Sequence, residues 1–138
     1  MFLIGFPLLV VPFAIYNMIA FLIGVTWTSD LAHIGMLSGA DWTMTPSDIL
    51  IAFSILLLFG ELLKATRLST RTIVDHMLST VLFIGMLVEF LLVRQAATGT
   101  FFLLLVISFV DVVGGFTITI RTAQRDITVD GVEKVTQP

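Results

Sequence analysis

The chain has 138 residues, of which 57% are hydrophobic and 12% charged, with a formal net charge of -3 and a mean hydropathy of +1.07. A soluble domain carries roughly 25% charged residues, so the sequence reads as an all-α integral membrane protein, and its small acidic excess excludes nucleic acid as a partner. No cysteine is present, which excludes disulfides, thiolate metal sites and thiol redox chemistry.

Four apolar blocks predict four helical spans, at about 6–27, 47–65, 73–93 and 99–120, each near the roughly 20 residues that cross about 30 Å of hydrocarbon. Together they predict an antiparallel four-helix bundle over residues 1–122, followed by a short tail over 123–138. The first block, MFLIGFPLLVVPFAIYNMIAFLIG, lacks the basic region and small-residue cleavage site of a secretory signal and is expected to stay as the first helix. Pro7 suits a helix start, whereas Pro12 is expected to kink or unwind the span, and a re-entrant start is the alternative.

The connection SDLAHIGMLSGADWTMTP mixes Leu31, Ile34, Met36 and Leu37 with small and acidic residues, which predicts a short interfacial helix. Thr45-Pro46-Ser47-Asp48 then offers a capping hydroxyl, a proline at the first helical position and an acid at the third. Thr72 and Asp75 repeat the hydroxyl-to-acid spacing before the third span. Thr98-Gly99-Thr100 is so short a connection that the third and fourth spans must be antiparallel neighbours. In the tail, alternation around Asp130-Gly131 predicts a β-hairpin.

Lys64, Arg67 and Arg71 fall between spans two and three, and Arg121, Arg125 and Lys134 follow span four, while the other side carries only Arg94. The positive-inside rule therefore places both termini in the cytoplasm of a bacterial-type cell, as a multi-pass inner-membrane protein. Trp27 and Trp42 belong at the outer interface, where amphipathic rings collect.

The chemistry-bearing residues are the acids inside the spans. A charged side chain at the bilayer centre costs about 2.5 to 3.5 kcal/mol on insertion scales, so Asp111 near the midplane needs a partner, a proton or a task. Glu61 lies toward the inner boundary and Glu89 toward the outer one. Depth allows Asn17 to meet Asp111 and His76 to meet Glu61, although Glu61 with Lys64 and Glu89 with Arg94 are nearer in sequence. Asp111 is expected to be protonated or hydrogen-bonded to Asn17 or Ser108. Ala20 and Gly24 on span one, Gly85 on span three, and Gly114 and Gly115 on span four mark faces where helices approach closely.

His33 and His76 fall on opposite sides and cannot share a haem or metal, and no nucleophile elbow or phosphate loop is present. No enzyme activity, metal or cofactor is expected. Two functions remain. One is a small accessory or structural subunit, bound in the bilayer to other membrane subunits or to copies of itself. The other is a proton-coupled or cation-conducting protein stepping through Glu89, Asp111 and Glu61, with His76 at the inner mouth. A quinone or lipid bound near Tyr16, Asn17 and Asp111 is a third and weaker reading.

Overall fold

The computed structural model describes residues 6–67 and 70–136, with side chains through residue 125. The chain is mostly helical, and three of its helices are long and apolar enough to cross a membrane. They are α2 (Pro46–Lys64), α3 (Thr70–Leu92) and, within α4 (Gly99–Thr136), the stretch Gly99–Arg125.

The first helix is shorter than the sequence predicts. α1 runs over Val10–Met18 and continues as a wider helical turn over Ile19–Ile23. Fourteen residues rise only about 21 Å at about 1.5 Å each. The chain before it makes tight turns instead, with the Val10 N–H donating to Pro7 O (3.2 Å) and the Val11 N–H to Leu8 O (3.1 Å). Pro12 is thus the third helical residue, in a turn whose N–H groups have no helical acceptor to lose, so the expected kink is not needed. The far end stops at Gly24, whose N–H reaches back five residues to Ile19 O at 2.8 Å. Its φ of 75° is a left-handed conformation that favours glycine.

The next connection forms no interfacial helix. It is a two-stranded antiparallel sheet, β1 (Ala32–Gly35) and β2 (Asp41–Met44), with Ile34 opposite Trp42. The apolar spacing of Leu31, Ile34 and Met36 also suits a pleated strand with a period of two. The turn decides between them, because Gly39 takes a φ of 90° that a helix does not contain. Trp42 is exposed there, whereas Trp27 is buried.

α2 opens as the sequence predicts. The Asp48 N–H donates to Thr45 Oγ1 (3.2 Å) and the Thr45 N–H to Asp48 Oδ2 (3.0 Å), with Pro46 at the first helical position. Thr72, by contrast, is no cap: it is the third residue of α3 and is buried. α4 continues as helix through Thr136, so the hairpin expected at Asp130-Gly131 does not form. Extending an existing helix gains one backbone bond per residue fixed, while an isolated two-stranded hairpin is marginal in water.

α4 packs along both α2 and α3. Near the starts of α2 and α4 the Thr100 hydroxyl donates to Ser47 Oγ (2.8 Å), and at the end of α2 the Thr119 hydroxyl, midway along α4, donates to Ala65 O (3.3 Å). The two helices therefore run side by side in one direction. The apolar core gathers at the hairpin end, around Tyr16, Trp27, Leu50, Met86, Phe101 and Leu104. At the opposite end, around Lys64, the buried residues are polar.

Candidate functional site: a buried carboxylate cluster

Three helices contribute one polar face each. On α2 the buried positions Leu50, Ser54 and Glu61 are four and seven apart, and Lys64 follows one turn later. On α3, Asp75, His76 and Ser79 are buried together, and on α4 so are Ser108 and Asp111. Asp111, Gly115 and Thr119 follow one another at spacings of four, which is one stripe of an α-helix.

Lys64 is the hub of the charges. Its Nζ lies 3.0 Å from Glu61 Oε1 and 3.0 Å from Asp75 Oδ2, and donates to the Phe6 carbonyl at 2.7 Å. Glu61 and Asp75 are both 0% exposed. Glu61 Oε1 also accepts the Leu8 N–H at 2.5 Å, while its Oε2 has no hydrogen-bond partner among the described residues. Asp75 meets the ammonium as a charge contact rather than through a well-aligned hydrogen bond. The strap 6–9 thereby closes the cluster at the Lys64 end, with the Leu8 side chain lying over Gly60.

Asp111 is 1% exposed, and among the described residues neither of its carboxyl oxygens has a well-formed hydrogen bond. Ser79 faces it from α3, and Glu61, Asp75 and Lys64 are within electrostatic reach. Two carboxylates therefore hold one ammonium, with a third within reach of its charge, in a place closed to solvent. If all were ionised the cluster would hold two uncompensated negative charges, which a low-dielectric interior strongly disfavours.

No protein-family model, curated protein or solved structure matches the chain.

The structure brings Glu61 and Asp111 together with two groups absent from the sequence-derived site, Lys64 as their shared counter-charge and Asp75. The sequence reads Asp75 as the acid three residues after Thr72 at the start of span three, and its partner Lys64 sits across the α2–α3 connection. Glu89 stands apart. Asn17 donates to its own helix at Phe13 O (3.0 Å) and to Glu89 Oε2 (3.4 Å), and makes no bond to Asp111. The short α1 is the reason: held at Leu8, it carries Asn17 past the level of Asp111. Ser108 makes no bond to Asp111 either, since its hydroxyl has no partner among the described residues.

His76 does not pair with Glu61, whose one bonded oxygen is already taken by Lys64 and Leu8. Its Nε2 meets Thr119 Oγ1 at 2.8 Å. With the Thr119 hydrogen given to Ala65 O (3.3 Å), Nε2 would carry the imidazole hydrogen and donate to Thr119 Oγ1. Nδ1 is buried and has no hydrogen-bond partner among the described residues.

The small residues divide in the same way. A Cβ on Gly115 would lie 2.8 Å from His76 Cε1, and one on Gly114 would lie 3.1 Å from Leu62 Cδ2, whereas Gly24 and Gly85 face open space. Ala20 packs partly against the apolar core. Gly115→Ala is therefore expected to cost about 1–3 kcal/mol as overpacking. In detergent unfolding, His76→Ala in the same chain should recover most of that loss; no recovery would mean that the ring is not what Gly115 accommodates. Among the described residues no three acids or histidines converge closely enough to hold one metal ion.

Proposed function

We propose that the chain is a bacterial inner-membrane protein that takes up and passes on protons, or a small cation, through intramembrane acids, with Asp111 as the central group. The observation that carries this reading is the Asp111 carboxyl itself, buried opposite Ser79 and within electrostatic reach of two further acids and one lysine. A residue that only glued helices together needs no such excess of acids around it. The spread of donors favours protons over a metal ion, since an excess negative charge spread over three helices is neutralised most simply by protonating a carboxyl.

In this reading α1 with its preceding turns is the fourth span of an antiparallel bundle. Both termini lie in the cytoplasm, because Lys64, Arg67, Arg71, Arg121 and Arg125 gather at one end of the molecule. Glu61 is the group nearest the cytoplasmic strap. Glu89, with Asn17, is the first acid from the outer side, and His76 is an accessory acceptor through Nδ1.

Asp111→Asn keeps the shape and removes the proton-binding oxygen. In liposomes carrying an imposed pH gradient and an internal pH dye, the parent chain should collapse the gradient. The variant should fall to the rate of protein-free vesicles while eluting from size exclusion unchanged. Parent-like flux in Asp111→Asn would end the proposal.

A second reading, an accessory subunit docked to another membrane chain or to its own copy, draws on Gly85. Its open Cβ position on α3 offers a notch for a foreign helix. Native mass spectrometry of gently extracted protein separates the two: a larger subunit that stays bound supports docking, and a lone chain removes it.

A further inference from the structure

The strands of the hairpin sort their side chains by chemistry. Ala32 pairs with Met44 and Ile34 with Trp42 on one face, while His33 pairs with Thr43 and Gly35 with Asp41 on the other, as the alternation of a pleated strand requires. The polar face is partly satisfied from within, His33 Nδ1 lying 3.1 Å from Thr43 Oγ1. The apolar face has no comparable cover: Ile34 is 39% and Trp42 42% exposed, and Met36 and Leu37 at the turn are exposed as well.

What covers this face is indicated by its neighbour. Trp42 and Met44 share a shallow groove of about 120 Å³ with Asp48, Ile49 and Ala52 at the start of α2. Ile49 also borders a second apolar groove of about 230 Å³, which Leu31 and Phe53 line. Ile49 and Phe53 are exposed along α2, so the hairpin's apolar face continues the outer surface of a helix fit to cross a membrane. An isolated two-stranded hairpin is marginal in water, which makes an apolar support a requirement for this one.

We propose that the hairpin is an interfacial anchor, its Ile34, Trp42 and Met44 face seated in the acyl boundary of a phospholipid leaflet and its His33, Asp41 and Thr43 face turned to the headgroups. A tryptophan at that level matches the preference of its ring for the membrane–water boundary. The assignment rests on α2 being a membrane span and is independent of the Asp111 carboxyl.

The test uses the full chain with Trp27→Phe, which leaves Trp42 as the sole tryptophan of the two. The variant is reconstituted into phosphatidylcholine–phosphatidylglycerol vesicles with and without bromines near the top of the acyl chains. Trp42 emission should drop about twofold or more with the brominated lipid, as expected for a ring at the boundary, and aqueous iodide should quench it weakly. A reference chain, Trp27→Phe/Trp42→Phe/Phe53→Trp, reports on α2 itself. Quenching of that reference by bromolipid without quenching of Trp42 overturns the anchor and leaves the span intact. Trp42 shielded from lipid and iodide alike means that a second copy or another protein covers the face, which also overturns it. Failure of both reporters to sense lipid overturns the membrane reading along with the anchor.

Discussion

Lys64→Met is expected to destabilise the fold by about 3–5 kcal/mol, the usual cost of leaving buried charges without their partner. The ammonium is the counter-charge of both Glu61 and Asp75, at 3.0 Å from each, and its own side chain is only 13% exposed. Methionine keeps the length of the stem and loses the charge, so the two acids, each within the other's field, face one another alone. The loss should appear as a lowered midpoint in thermal or chemical unfolding of the detergent-solubilised chain. Adding Glu61→Gln and Asp75→Asn to the same chain should return most of it, because neutral amides no longer need the ammonium. If Lys64→Met cost little by itself, the acids would already be carrying protons and the ion-pair account of this end of the molecule would fall.

Tyr16→Ala should be nearly as damaging, at about 3–5 kcal/mol for a buried aromatic truncated to methyl. The ring is fully buried, stacked on Trp27 at 4.6 Å and set edge-on to Phe101 at 4.9 Å. Its hydroxyl donates to Gln95 O (2.7 Å) and meets Thr98 Oγ1 at 2.8 Å, and that oxygen in turn accepts the Phe101 N–H (3.1 Å) in the first turn of α4. Tyr16 thus ties α1 to the α3–α4 connection. Tyr16→Phe keeps the stack and should lose only about 1–2 kcal/mol. Equal losses in the two variants would place the stabilisation in the hydroxyl and not in the ring.

α2, α3 and α4 were legible in the sequence because a bilayer forces each crossing segment to satisfy its own backbone and to show a long apolar run. The cap at Thr45-Pro46-Ser47-Asp48 was legible for a local reason: all its partners lie within three residues. The connection after α1 was not, since Leu31, Ile34 and Met36 suit a helix face and a pleated strand alike, and only the backbone of Gly39 separates them. Within the site, the sequence marked Asp111, Glu61 and His76 but could not choose their partners. Depth along an assumed straight span put Asn17 level with Asp111, and the tether from Leu8 to Glu61 shifts α1 until Asn17 reaches Glu89 instead. Lys64, nearest in sequence to Glu61, was readable as a local pair, yet its second contact with Asp75 depends on how α2 turns into α3.

One further consequence follows from the length of α4. It runs unbroken over 38 residues, about 57 Å at about 1.5 Å each, and its paired glycines lie against Leu62 and His76. Its last sixteen residues, from Arg121 to Thr136, include six charged side chains, so about 24 Å of the rod, at about 1.5 Å per residue, extends past the apolar run 99–120.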